Sequence, residues 1–447
     1  MEIVITELSR YIIAICMALY AYWGFAAFTE RKKKRTRILK RQRKAMYLFH
    51  FFGYIVLYLN TEDEIVLGLY GIEVIFFFVS NMIYKRVYKK GNQPIINHMH
   101  MLFAVSMVIL TRLNIDNAKR QFAYMIAGIA LCLVLPWILE HYKKLQSEGW
   151  FYAVLGLIIL LIVLLFGNAK YGAKNWLTLG PVALQPSEFV KILFVIAFAS
   201  ILSQENLEMQ NVVKITAMAV AYVMVLVLEK DLGAALIFFI TYLFMLYVAT
   251  GQTRYLFAGI GSGSVAAVIG YFLFSHVRNR VVAWRDPWGT IDRQGYQVAQ
   301  SLFAIGTGGW FGMGLMQGLP SSVPIRESDF VFSAISEELG AFFAICMILV
   351  YVSCFIWFVN ISMKIKNLFF KLISFGFSVM LMFQTFLTLG GATKFIPSTG
   401  VTLPLVSYGG SSMVSVIVMF CVIQSIYMLD SMEVIEDAGH KEEQEEA

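Results

Sequence analysis

PIRESDFVFSAISEELGAFFAICMILVYVSCFIWF, residues 324–358, passes from a proline-bounded turn into an apolar run long enough to cross a bilayer as a helix, and it carries Glu327, Asp329, Glu337 and Glu338 at the mouth of that run. The reading of those acids depends on the surrounding medium, because an acid beside hydrocarbon is costly and points to function, whereas one in water needs no explanation. Composition decides which applies. Of 447 residues, 59% are hydrophobic and only 15% charged, with a mean hydropathy of +0.69. Soluble domains carry about a quarter charged residues. The chain is that of a membrane protein.

Working outward, apolar runs of the same kind recur from one end of the sequence to the other. Hydropathy places spans at 11–28, 45–60, 64–84, 95–112, 121–140, 150–166, 187–203, 211–229, 232–249, 255–275, 332–358, 368–390 and 410–428, thirteen in all. A chain in lipid must satisfy its own backbone hydrogen bonds, and runs of this length do so as helices. The expected fold class is all-α, a polytopic transmembrane helix bundle. No internal repeat is evident, which counts slightly against an inverted-repeat transporter.

The net charge of +7 is concentrated in short segments between spans, a pattern that reports orientation and not a nucleic-acid partner. RKKKRTRILKRQRK, residues 31–44, holds ten basic residues in fourteen, and the positive-inside rule puts it in the cytoplasm with the N-terminus outside. The basic loops at 85–94, 141–148 and 359–367 then also fall inside, as does the acidic tail ending EDAGHKEEQEEA, which is expected to be disordered. MEIVITELSR lacks the basic start of a secretory signal, so the first span is expected to remain as an anchor. Cys16, Cys132, Cys346, Cys354 and Cys421 all lie in apolar runs, and the close pair His98 and His100 alternates around a helix, so neither set reads as a metal site. Zinc, haem and P-loop spacings do not occur in the sequence.

Three long segments are among those that fall outside: 167–186, 276–331 and 391–409. Connections this long in a compact bundle are functional or disordered, and their aromatic content favours order. In YGAKNWLTLGPVALQPSEFVKI, residues 171–192, Pro186, Ser187 and Glu188 are residue types that start a helix, and Lys191 follows Glu188 at i+3 on the same face. That pair can be a structural ion pair, but Lys191 lies almost a turn inside the span, where charge is costly. Glu229, Lys230 and Asp231 read as a polar turn between spans. Between Arg278, Arg280, Arg285 and the opening stretch, Gly306, Gly308, Gly309, Gly312, Gly314 and Gly318 would let backbone approach another helix or a ligand, and their amides could hold phosphate oxygens. IPSTGVTLPLVSYGGSS, residues 396–412, adds small polar groups and paired glycines before the last span.

Four of these stretches together match one pattern: GAKNWLTLG with QPSEFVK, then DLG, then GYQVAQSLFAIGTGGWFGMG with SDFVF and EELG, then PSTGVTLPLVSYGGSS. Over about residues 95–430 the sequence resembles the SEDS proteins (shape, elongation, division and sporulation), the RodA, FtsW and SpoVE group. The resemblance implies a ten-helix core formed by spans four to thirteen, an N-terminal membrane extension at 1–94 and a cytoplasmic tail at 431–447. It implies a peptidoglycan glycosyltransferase that polymerises lipid II on the outer face of the bacterial cytoplasmic membrane, releasing undecaprenyl diphosphate and working with a class B penicillin-binding protein transpeptidase. Asp329 becomes the catalytic residue, with Glu188 and Lys191 lining its cavity and Trp176, Arg278, Arg280, Ser407 and Gly409 as substrate contacts.

The sequence departs from the family pattern in three places. Glu327-Ser328-Asp329 stands for His-Thr-Asp, Ile325 replaces a glutamate, and Lys230 replaces the proline before Asp-Leu-Gly. Chemically, a sugar hydroxyl must lose a proton to a base while charge grows on a departing diphosphate. Asp329 suits the first task, and Lys191, Arg278, Arg280, Arg285 or a divalent cation (Mg or Mn) suits the second. No organic cofactor is expected. The rival reading is a flippase for a lipid-linked precursor, marked by ionisable pairs near the midplane and interrupted helices.

Overall fold

The computed structural model describes residues 2–89, 91–142, 144–170, 173–179, 182–204 and 206–445, with side chains for all of these except 2–5, 32, 169, 170, 179, 182 and 432–445. The first three helices are α1 (Glu2–Thr29), α2 (Lys32–Thr61) and α3 (Glu64–Val87). Then come α4 (Gln93–Leu113), α5 (Ile115–Cys132), the short α6 (Leu135–His141) and α7 (Lys144–Ser147), and α8 (Gly149–Phe166). A small antiparallel sheet follows, β1 (Asn168–Lys170), β2 (Ala173–Leu179) and β3 (Val182–Leu184), in that spatial order. The remainder is helical: α9 (Ser187–Gln204), α10 (Met209–Leu228), α11 (Leu232–Thr250), α12 (Thr253–Leu273), α13 (Ser275–Arg285), α14 (Tyr296–Gly308), α15 (Val331–Lys364), α16 (Leu368–Ala392) and α17 (Gly410–Glu445).

Among the described residues, twelve helices are long and apolar enough to cross a membrane. The thirteenth expected span, 45–60, is the apolar half of α2, whose other half is the basic cluster. The described residues of the three long connections carry defined structure. Residues 167–186 form most of the sheet, with Leu177 opposite Leu184 and Thr178 opposite Ala183. Residues 276–331 contain α13 and α14. At the other end, α17 continues as helix to Glu445, so the acidic segment is not disordered there; its Glu, Lys, Ala and Gln are good helix formers.

Within its apolar run α4 carries Asn97, His98, His100 and Ser106, polar groups that a lipid-facing helix would not hold. Every residue from Pro94 to Thr111 is buried. It lies between α2 and α3 on one side and α5, α15 and α17 on the other, while α1 runs along α15. The extension is therefore packed into the core and not appended to it.

One helix is broken. In α15 the backbone leaves helical geometry at Gly340, with φ 87° and ψ 164°, a conformation that only glycine adopts without strain. The unpaired groups on either side of the break are taken up by the glycine-rich segment after α14. Met313 and Gly314 amides donate to the carbonyls of Glu337 and Glu338 at 2.9 Å each, and the Ala341 and Phe342 amides donate to Gly309 and Trp310 carbonyls at 2.9 and 3.0 Å. Glycines make this approach possible. A Cβ on Gly308 or Gly312 would lie 2.0 or 2.2 Å from a carbonyl oxygen of the broken helix. These glycines therefore serve helix contact, and the amides of Gly309, Gly312 and Gly314 are already committed to backbone carbonyls.

Candidate active site

Asp329 occupies the turn that leads into the half-helix Val331–Leu339. Its Oδ1 accepts from the Ser328 hydroxyl at 2.7 Å, while Oδ2 takes no hydrogen bond from the described residues. Helix α13 lies over the 394–400 segment, fixed by Trp284 Nε1 to the Lys394 carbonyl at 3.1 Å and Arg280 Nη1 to the Ser398 carbonyl at 2.6 Å. That places the guanidinium near the acid, with Gly400 between them. Gly400 has φ 74°, and a Cβ there would sit 3.4 Å from Asp329 Oδ2 and 3.5 Å from Arg280 Nη2.

Beyond Gly400 lies a cavity whose polar lining includes Gln185, Glu188, Lys191, Asp231 and Thr402. Glu188 and Lys191 form the expected i, i+3 pair, with Nζ to Oε2 at 2.6 Å. Both are buried, and each has a second partner: Ser415 donates to Glu188 at 2.9 Å, and Lys191 donates to Gln384 at 3.0 Å. Gln384 in turn donates to the Thr402 carbonyl at 3.0 Å, which ties α9 and α16 to the cavity wall.

Asp231 belongs to this site, although its sequence context reads only as a polar turn. It caps α11 through the Ala234 amide at 3.0 Å and accepts from Asn175 at 2.7 Å and Gln185 at 3.2 Å. The DLG match was the available signal. Lys230 beside it has φ 63°, which a proline ring forbids, so the departure from the family's proline goes with a different turn. Glu327, which stands for the family's histidine, accepts from the Asn117 side chain of α5.

Four other expected site residues are placed differently. Arg278 is exposed on α13, two positions from Arg280 and so on another side of the helix. Trp176 neighbours Asn175 on β2, and strand alternation turns it from the face that meets Asp231. Ser407 donates to the Ser328 carbonyl at 2.5 Å and accepts from the Leu403 amide, so it braces the Asp329 turn. The Gly409 amide donates to Gln121 at 3.3 Å.

Burial raises the Asp329 carboxyl above its ordinary value, with a smaller rise from Asp231, while the Ser328 hydroxyl and Arg280 pull it back down. Asp231 is likewise raised by burial, against the Ala234 amide and Asn175. Arg280 is lowered by burial, opposed by Asp329 and Asp231. The site thus combines one carboxylate oxygen open for a proton with two cations able to meet negative charge. For a divalent ion the fit is poor: Asp231 and Glu188 have committed oxygens, and no three potential His, Cys, Asp or Glu ligands gather among the described residues.

Known proteins carry the same arrangement of segments. Residues 93–431 match the family model FTSW_RODA_SPOVE, described as cell cycle protein. The chain is 31% identical over 407 residues to the peptidoglycan glycosyltransferase RodA of Mycobacterium tuberculosis, covering 84% of this chain and 87% of that one. It is 35% identical over 337 residues to the probable peptidoglycan glycosyltransferase FtsW of Saccharophagus degradans, covering 70% and 86%. Among solved structures, the rod shape determining protein RodA of Thermus thermophilus superposes with a TM-score of 0.59 at 22% identity, covering 76% of this chain and 97% of that one. A chain of a peptidoglycan synthase complex that coordinates polymerization and crosslinking gives a TM-score of 0.67 at 23% identity, covering 76% and 99%. This protein belongs to the FtsW/RodA/SpoVE family and is a multi-pass membrane protein.

Proposed function

We propose that this protein is a peptidoglycan glycosyltransferase that polymerises lipid II at the outer face of the bacterial cytoplasmic membrane, with Asp329 as the general base. The observation that carries the catalytic assignment is the free Oδ2 of Asp329, facing Gly400 and Arg280 at the edge of a charged cavity. In the reaction an acceptor sugar hydroxyl gives its proton to Asp329 as its oxygen bonds to the anomeric carbon of the donor. The bond from that carbon to the diphosphate breaks, and the electron pair leaves with undecaprenyl diphosphate. Arg280 and Lys191 oppose the growing charge on the leaving group. A divalent ion would have to depend on the substrate's own phosphates, since the protein oxygens around it are largely committed; a chelator titration tests that contribution.

One observation favours the flippase reading, namely the interrupted α15. Its break lies about 13 Å inside the span, nine residues from the start at 1.5 Å each. The break is filled by Gly309–Gly314, however, and the cavity with its charges opens elsewhere. The purified protein given lipid II should make glycan strands that a muramidase digests. Movement of lipid II across vesicles without any polymer would reverse the assignment. The family's resemblance also supports a class B penicillin-binding protein as partner, because a chain of like fold occurs in a synthase complex. The orientation proposed from the basic segments puts the 31–44 cluster inside.

A further inference from the structure

The extension is joined to the catalytic half-helix by two sets of polar contacts that meet at adjacent residues of α4, Thr111 and Arg112. The first begins inside the extension, where His50 Nε2 lies 2.7 Å from Glu73 Oε2 and both side chains are fully buried. Tyr54 donates its one proton to Glu73 Oε1 at 2.7 Å. Its oxygen must therefore accept from Thr111 Oγ1 on α4, 3.0 Å away. A helical threonine usually gives its proton to a backbone carbonyl one turn earlier, so Tyr54 holds this hydroxyl in a less common arrangement.

The next residue on α4 is Arg112. Its Nε donates to Glu338 Oε1 at 2.8 Å and its Nη2 to the Gly318 carbonyl at 3.3 Å. Glu338 also accepts from the Met316 amide, and Glu337 beside it accepts from the Leu319 amide at 2.9 Å. These two glutamates end the half-helix whose other end is Asp329. The extension reaches the same glycine-rich segment directly, through Arg10 to the Gly312 carbonyl at 3.5 Å and Tyr11 against the Phe311 ring at 5.5 Å.

We infer that the N-terminal extension positions the catalytic half-helix: the Glu73–Tyr54–Thr111 chain fixes the last turn of α4, and the Arg112–Glu338 pair passes that position to Val331–Leu339. The inference rests on the polymerase reading for its kinetic test. Tyr54, Glu73 and Thr111 are positioning residues, because none of them touches the cavity. A small shift of the half-helix would move Asp329 relative to Arg280 and slow the proton transfer without removing a substrate contact.

Thr111→Val removes the hydroxyl at nearly the same shape, and Glu73→Ala removes the acceptor for Tyr54. Each should lower kcat on lipid II by about threefold to tenfold, with KM unchanged. Glu73→Gln keeps an acceptor and should restore most of the rate. In an Arg112→Lys background, Thr111→Val should add nothing further, because the connection is already cut. A fluorine label on a cysteine at exposed Ser321 reads the segment that Arg112 and Glu337 hold at Gly318 and Leu319 without any need for activity, and Thr111→Val should shift its resonance. Full kcat in folded Thr111→Val, multiplicative effects with Arg112→Lys, or an unshifted resonance overturns the inference. Absence of polymer from the wild-type protein, with the resonance still shifted, sinks the polymerase reading and leaves the coupling standing.

Discussion

The two ends of the half-helix Val331–Leu339 carry acids from the same stretch of sequence, yet their surroundings differ. At the C-terminal end, Glu338 has Arg112 and the Met316 amide, and Glu337 has the Leu319 amide on Oε1 while its buried Oε2 takes no hydrogen bond from the described residues. At the N-terminal end, Asp329 has one donor on Oδ1 and leaves Oδ2 toward Gly400. Glu338, with both oxygens committed, holds structure, because taking a proton would break bonds that already stabilise its charge, and the free oxygen of Glu337 is buried away from the cavity lining. A carboxylate with an open oxygen beside a cavity can take a proton. The largest expected effect tests this contrast directly. Asp329→Asn should cut polymerisation by about a hundredfold or more, on the scale of lost acid–base catalysis, with expression and lipid II binding retained. Glu337→Gln, which keeps an oxygen for the Leu319 amide, should stay within several-fold of wild type. Equal losses in the two variants, measured on purified protein, would remove the distinction.

A second contrast lies within the cavity wall. Glu188 and Lys191 are buried and paired, unlike Asp329 and Arg280, which meet across Gly400. Removing one member of a buried pair strands the other, at about 3–5 kcal/mol. Glu188→Ala and Lys191→Ala should therefore each lower thermal stability sharply. The charge-swapped double variant should recover part of it, although Ser415 and Gln384 are arranged for the native order. Silent single variants in a thermal melt would show that the pair contributes little.

Much of this was legible in the sequence because hydropathy and helix spacing are local. The apolar runs gave the spans, and the spacing of Glu188 and Lys191 gave their pairing. Asp231 was less legible, since an acid between two spans looks like any polar turn until Asn175 and Gln185 arrive from a sheet tens of residues earlier. The break at Gly340 was hidden for a similar reason. Glycine permits it, but only the crossing segment Gly309–Gly314 supplies the hydrogen bonds that make it stable. Arg278 and Arg280 differ by two positions in a loop that turned out to be a helix, so only one of them could face the site.

The pH dependence of the rate sharpens the role given to Arg280. Because the base acts deprotonated, activity falls as pH drops through the Asp329 pKa, and burial puts that limb above the ordinary aspartate value of about 3.9. Arg280 lowers this pKa and Asp231 raises it. Arg280→Gln should thus move the acid limb to higher pH, and Asp231→Asn should move it lower, whatever either change does to the maximal rate. Limbs that stay fixed in both variants would place the titrating base elsewhere.

The smallest expected effect concerns the acid two residues before Asp231 in sequence. Glu229 is fully buried, neither of its carboxyl oxygens has a partner among the described residues, and burial followed by the Asp231 charge raises it to about 8. The unfolded chain would ionise this group near pH 4.3. Between those two values the folded protein holds a proton that the unfolded chain has released, so stability falls as pH rises through this window and levels off only above the folded value. Glu229→Gln has the same shape and no charge to desolvate. It should raise Tm by roughly 2–4 °C near pH 8 and leave it nearly unchanged near pH 4, flattening the profile between. Melting curves of the two proteins across that range decide the matter. If the variant is less stable at every pH, the ionised carboxylate has a favourable partner when the protein is at work, and Glu229 belongs with Asp329 among the acids of the site and not with Glu337 and Glu338.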